Sequence, residues 1–244
     1  MKNSFIFLCI VFLTFSCTST KNEDNFSLSG NIKGLKKGML YLEKIEDTTT
    51  VVIDSISISG VSGFQFSAFL NEPEMLYLYI KKTDGVEAYE RLDFFAEPGE
   101  MYIETSLDKF NIDAKVSGSE NHEKLEEFKK LMQRYNDRSL DVLKASLEAE
   151  QRNRTSELEK LQKQYESLIR SKYLAAVNYA IANKDKSIAP YIVLSQIYDA
   201  NIKYLDTVYQ SLNEDVKVSK YGKQLQQYID ERKKESSTTI ENEA

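Results

Sequence analysis

The sequence is poor in the residues that most often carry enzyme chemistry. It holds two cysteines, one histidine and no tryptophan among 244 residues. Cys9 lies inside an apolar N-terminal stretch and Cys17 just after it. The chain beyond Cys17 therefore has no thiol for a disulfide, a CxxC redox pair or a nucleophile. His122 has no second imidazole or thiol to join it in a transition-metal site. It stands among glutamates where a helix is expected to begin, and the reading is a solvated surface residue. No G-x-S-x-G elbow, no P-loop and no G-x-G-x-x-G sequence occurs. The 38 acidic residues offer carboxylate pairs for glycoside chemistry, but no spacing singles one out. The expectation is a non-enzymatic chain with no catalytic residue, no metal and no cofactor.

Proline and glycine are also scarce, and their placement divides the chain. Eight of the nine glycines precede residue 119, and Gly222 is the exception. Between Phe26 and Gly118 the glycines punctuate short runs of alternating hydrophobicity, the mark of half-buried strands. The runs are Phe26–Ile32, Met39–Leu42, Val51–Ile58, Phe64 to Phe69, Met75–Ile80, Leu92–Ala96, Met101–Ile103 and Phe110 to Val116, with a turn at Thr83-Asp84-Gly85. About eight strands at this spacing imply an antiparallel β-sandwich or open barrel. Tyrosines are frequent in this half and late in the chain, and are read as core rather than as a binding face.

From Ser119 the period changes. Ser119 is placed as an N-cap, with Glu120, Glu123 and Glu126 near the positive helix end. Leu125, Phe128, Met132 and Tyr135 recur at spacings of three and four, and Val142 and Leu147 continue them less regularly. A second run holds Leu158, Leu161, Tyr165, Leu168, Tyr173, Val177 and Ile181. No Gly or Pro interrupts either before Pro190. Two long amphipathic helices follow, read as an antiparallel pair with solvated outer faces. Three shorter helices are expected: after Ser187 with Pro190 in the first turn, over Asn201–Leu212, and after Ser219. The fold class is thus α+β, with a β module over 26–118, a helical region over 119–234 and a polar, disordered tail over 235–244.

An excess of positive charge is missing as well. Formal charge is −6. Removing residues 1–16 leaves 31 basic against 38 acidic residues, or −7. That speaks against nucleic acid and against a basic patch seeking anionic lipid. A long hydrophobic run is missing too. Phe5–Phe15 is apolar over eleven residues, broken by one Thr, where a membrane span needs about 20. With Lys2 before it, the run has the length of a secretory h-region. It leads into Leu13-Thr14-Phe15-Ser16-Cys17, which resembles a lipobox. The expectation is a signal peptide over 1–16, lipidation of Cys17 and a flexible tether over 17–25. Several acyl chains, at ~0.8 kcal/mol per buried CH2, hold a protein firmly to a membrane.

The β half carries a series of motifs: Phe26-x-Leu28-x-Gly30-x-Ile32-x-Gly34, the Tyr41-Leu42 strand, Ile53-Asp54-Ser55, Gly63-Phe64-x-Phe66, Phe94-Phe95-x-Glu97-Pro98-Gly99, and Val116-x-Gly118-Ser119-x-Asn121. It resembles the uncharacterised N-terminal module that precedes thioredoxin-like domains in Bacteroidota lipoproteins. The stretch from Ser187 to Ile229 resembles the linker helices of those proteins. The CxxC domain itself is not part of this sequence, so the resemblance implies a fold and a membrane-anchored, non-catalytic role. Lys21-Asn22-Glu23-Asp24 resembles the charged export signals of surface lipoproteins in that phylum, which points to the outer membrane, on its periplasmic or surface face. Asp47-Thr48-Thr49, Asp54-Ser55-Ile56 and Asp206-Thr207-Val208 resemble the acceptor motif for periplasmic O-glycosylation, which implies Thr48, Ser55 and Thr207 as acceptors. The partners expected are the membrane, through lipid, and an envelope protein, peptide or glycan. The alternative role is an accessory subunit acting in trans with a separate thioredoxin-like oxidoreductase.

Overall fold

A computed structural model describes residues 23–81 and 91–242, with side chains as far as Glu235. The signal segment, Cys17, the first part of the tether and the turn expected at Thr83-Asp84-Gly85 lie outside the described residues. Eight strands come first: β1 (Phe26–Lys33), β2 (Lys37–Glu46), β3 (Thr49–Ser59), β4 (Gly63–Ala68), β5 (Glu74–Lys81), β6 (Arg91–Ala96), β7 (Gly99–Ser106) and β8 (Lys115–Ser117). Six helices follow: α1 (Glu120–Gln151), α2 (Thr155–Ala182), α3 (Ile188–Gln196), α4 (Ile202–Ser211), α5 (Glu214–Lys217) and α6 (Lys220–Asn242).

The strands form two four-stranded sheets, ordered β4-β1-β7-β8 and β3-β2-β5-β6. Their inner faces close on one core, in which Leu28, Leu40, Phe66, Leu78, Phe94 and Ile103 are all essentially without solvent contact. Strands β1 and β4 each bury every second residue, as the period-two reading requires. β5 is the informative departure, because Met75, Leu76, Leu78 and Ile80 are all buried. Leu76, Leu78 and Ile80 enter the sandwich core, while Met75 enters a second core built by the helices. β6 divides in the same way: Phe94 points into the sandwich and Phe95 into the helices. A strand covered on both faces reads as a continuous apolar run, which is why Met75–Ile80 does.

Two expectations for the β half are corrected. The sheets are not purely antiparallel, since β1 runs parallel to β7 from Phe26 opposite Gly99 to Lys33 opposite Ser106. The close β1–β7 approach needs a residue without a side chain: a Cβ on Gly30 would lie 2.2 Å from the Ile103 carbonyl oxygen. The alternation from Phe110 to Val116 also does not make one strand, and β8 is only Lys115–Ser117. Before it the chain coils: the Asp113 N–H donates to the Lys109 carbonyl at 2.9 Å, and the Asp113 carboxylate accepts from the Ser106 hydroxyl at 3.0 Å. Ile112 is consequently 83% exposed. Local bonding by Asp has displaced the ladder.

The helical half follows its expected order, with the short α5 as an unforeseen addition. Ser119 caps α1, its hydroxyl accepting the His122 N–H at 3.0 Å, and Asn201 caps α4 through the Lys203 N–H at 3.0 Å. Pro190 sits in the first turn of α3, where a missing N–H costs nothing. The tail expected to be disordered from residue 235 is instead helical as far as Asn242. No Gly or Pro follows Gly222 to stop the helix, and Gln226–Asp230 and Gln227–Glu231 pairs one turn apart support its middle.

Candidate interaction surface

The first turn of α1 is tied to the sheets by a closed set of polar contacts. Glu97, in the β6–β7 turn, accepts the Glu120 N–H with one carboxylate oxygen. Its other oxygen accepts from the Asn121 side-chain amide at 2.6 Å. The Asn121 carbonyl oxygen in turn accepts the Ile188 N–H at the start of α3, at 2.9 Å. One asparagine thus joins strand turn, long helix and short helix. Glu97, Gly118, Ser119 and Asn121, the motif residues of this region, act as structural fasteners. Gly118 has φ +92°, and a Cβ there would sit 2.2 Å from the Glu100 carbonyl oxygen.

His122 belongs to the same set, which corrects its reading as a surface residue. It is buried, and its Nδ1 accepts the Phe95 N–H at 3.3 Å. The helix starts directly over β6, so its third residue points at the strand rather than at solvent. Burial holds the His122 pKa below its ordinary value, with nearby Glu126 opposing. Among the described residues no three His, Cys, Asp or Glu side chains converge as metal ligands.

The return of the chain in α6 fastens the far side of the same strand pair. The Tyr221 hydroxyl accepts the Met75 N–H at 2.9 Å, where pairing with β2 has ended at Leu76. Its ring packs with Phe95 and Tyr191, with centroids 5.8 and 5.2 Å away. Burial pushes the Tyr221 hydroxyl pKa up and that of Tyr191 to about 12, so both hydroxyls stay neutral. Lys220 pairs with Glu74, and its N–H donates to Glu72 at 2.6 Å. Tyr221, Lys220, Glu72 and Glu74 thus all have partners within the fold.

The far part of the long helices behaves otherwise. The helical core takes Leu125, Phe128 and Met132 from α1, and Ala176, Val177 and Ala180 from α2. Neither core includes any residue from Asn136 to Lys172. Over this length α1 and α2 form an antiparallel arm closed by a turn at Arg152–Arg154, where Asn153 has φ +53°. Its seam is thin. On α1 only Val142 and Ala149 are buried beyond Met132, and Ser139 and Ser146 turn their hydroxyls back to the Tyr135 and Val142 carbonyls at 2.9 Å each.

On one side of the seam the arm exposes Leu140 by 64%, Leu143 by 54%, Leu147 by 52% and Tyr165 by 41%. Leu140, Leu143, Leu161, Tyr165 and Ile169 line a groove of about 660 Å³ there. The groove on the other side mixes Arg138, Asp141, Gln164 and Ser167 with Tyr135, Val142 and Leu168, and no large apolar side chain is exposed there. A two-helix hairpin with one apolar side has the form of half a bundle. Sequence reasoning passed over this stripe. Leu140, Leu143 and Leu147 recur at three and four, but on a face displaced by one residue from the core series, and they read as irregularity in it.

The residues marked in the sequence do not gather at the arm. Thr48 is exposed in the β2–β3 turn beside Asp47, whose φ is +53°. Ser55 is exposed on β3 opposite Tyr41, and its N–H donates to Asp54 at 2.7 Å. Thr207 lies on the exposed side of α4 and donates its hydroxyl to the Lys203 carbonyl at 2.6 Å. Cys17 is outside the described residues. Among those described, no helix is long and apolar enough to cross a membrane.

No curated protein and no solved structure matches the chain. The two sheets together with the fastened first turn of α1, residues 26–125, match the family model described as Domain of unknown function (DUF4369).

Proposed function

We propose that the protein is an exported lipoprotein, anchored to the envelope membrane through Cys17, that works by non-covalent binding and presents its helical arm to a protein partner. The observation that carries the proposal is the solvent-facing row of Leu140, Leu143, Leu147 and Tyr165 beyond both cores. Large apolar side chains exposed together on one side of an arm, and not on the other, mark a protein-binding face. The β module and the helices packed on it act as the rigid base. Lipid at the N-terminus raises the local concentration of the arm at the membrane, which favours binding without further contacts.

The test joins an intact-mass measurement on protein from native membranes with site-directed photo-crosslinking at Leu143. A lipid mass increment on Cys17, release of the Cys17→Ser variant from membranes and a crosslinked protein at Leu143 are the expected results. An unmodified Cys17 removes the anchored reading, and an arm that crosslinks to nothing removes the binding role.

A further inference from the structure

We infer that the occupant of the apolar side of the arm is a second copy of the same arm, placed antiparallel across a two-fold axis to complete a four-helix bundle. The inference rests on the reading of the arm as a binding face and names its partner.

Charged residues flank the stripe in a self-complementary order. At about 100° per residue, Asp137 and Lys144 fall on the outer edge of the α1 stripe formed by Leu140, Leu143 and Leu147. On α2, Glu159, Lys163, Glu166 and Arg170 fall on the outer edge of the Tyr165–Ile169 side. All six charged residues are exposed, and none has an ion-pair partner among the described residues.

Their signs are opposed about a single level. Asp137 and Lys144 are equidistant from the point between Leu140 and Asp141. Glu159 and Arg170 are equidistant from the point between Gln164 and Tyr165, and so are Lys163 and Glu166. The hairpin holds these two points side by side, since the Lys172 ammonium bonds the Asn136 side chain at 3.0 Å and the turn closes at Arg152–Arg154. They agree to within about a turn of helix, ~5 Å.

In a two-fold dimer, residue i meets j and j meets i. A two-fold axis through that level, perpendicular to the helices and within the interface, lays α1 on the copy's α1 and α2 on the copy's α2, tips opposed. Asp137 then faces Lys144 of the copy, Glu159 faces Arg170, and Lys163 faces Glu166. Each contact occurs twice by symmetry, and the leucine rows meet between them. A two-fold axis along the helices would instead lay α1 on α2, bringing Lys144 to Lys163 and Asp137 to Arg170. All three kinds of pair are opposite in sign in the first arrangement, whereas the second sets one like-signed pair against one opposite pair, so the charges favour the antiparallel register.

The full chain, extracted in mild detergent, is measured by native mass spectrometry at low micromolar concentration. Wild type is expected as a dimer. The Leu140→Glu/Leu143→Glu variant is expected as a monomer with unchanged helix content, because both positions are exposed. Asp137→Lys and Lys144→Glu alone each set like charges across the interface, and each should raise the dimer dissociation constant by about tenfold or more. Mixing these two variants restores complementarity and should give the heterodimer in preference to either homodimer. A monomeric wild type, a dimer indifferent to the leucine variant, or single charge reversals that mixing does not rescue would each overturn the self-pairing. If the wild type is monomeric but lipidated and crosslinks through Leu143 to another envelope protein, only the identity of the occupant fails. A dimer whose Cys17 carries no lipid keeps the self-pairing and removes the anchor.

Discussion

The two ends of α1 show the same helix under opposite conditions. At its base the buried polar groups have partners and the core-facing apolar groups a cover: Ser119 caps, Asn121 bridges three elements, His122 reaches β6, and Leu125 and Phe128 are buried. Four turns later the only deep cover is one facing helix, and three leucines of eight consecutive residues are more than half exposed. Helix propensity and an unbroken sequence sustain both ends equally. What differs is packing, and a helix of this length keeps its secondary structure where its tertiary partners stop. The base is finished as a monomer, and the arm is not.

The largest effects should come from the base. Phe95 is fully buried between the sheet and the tyrosines of α3 and α6. Phe95→Ala should cost about 3–5 kcal/mol, seen as a loss of urea midpoint on the whole transition. Because Phe95 joins the sheet to the helical core, sheet and helix signals should fall together; separate transitions would show that the two cores are independent. Next comes Tyr221→Phe, which leaves the buried Met75 N–H without its acceptor. A loss of about 1–3 kcal/mol is expected, with the slope of the denaturation curve unchanged.

How much of this was readable follows the same division. Period-two alternation located the strands that bury one face against a single core, such as β1 and β4, and a continuous apolar run marked β5, which is covered on both faces. It misjudged Phe110–Ala114, where Asp113 forms local bonds that alternation does not register. Ser119, Pro190 and Asn201 announced helix starts through their own chemistry. The parallel β1–β7 pair was invisible, since pairing partners distant in sequence leave no trace in either strand alone. His122 was misplaced because a residue's neighbours in sequence, here glutamates, say nothing of the strand beneath it. The arm stripe was hidden by its nearness to the core series: leucines at a core spacing look like core until the structure shows which helix face has no cover.

His122 offers a smaller effect with a sign. Its folded pKa is depressed below the ordinary value near 6.5 by burial. The unfolded chain therefore takes up the proton first as pH falls. The stability that His122 contributes is complete above about pH 6.5 and declines as the pH drops from there toward the folded pKa. His122→Leu should lose about 1 kcal/mol at neutral pH, through the unpaired Phe95 N–H. It should also flatten the dependence of the urea midpoint on pH just below 6.5. A variant with the wild-type slope would mean that the imidazole is not shielded from protonation at the base of α1.

Least effect of all is expected at the arm, and that smallness is its signature. Leu143 is 54% exposed, so Leu143→Ala removes side-chain atoms that water already surrounds in the single chain. Stability of the dilute monomer should change by less than about 0.5 kcal/mol. Amide exchange should separate the same two regions: slow at Leu125–Met132 and Ala176–Ala180, fast between Asn136 and Lys172, where local opening needs no core to break. If the arm pairs with its copy, raising the protein concentration should slow exchange from Asn136 to Leu147 and around Tyr165 while leaving the base unchanged, and Leu143→Ala should weaken that protection despite its neutrality in the monomer. Equal protection along α1 at every concentration would instead make the arm as complete as the base, and the exposed leucines would then be ordinary surface.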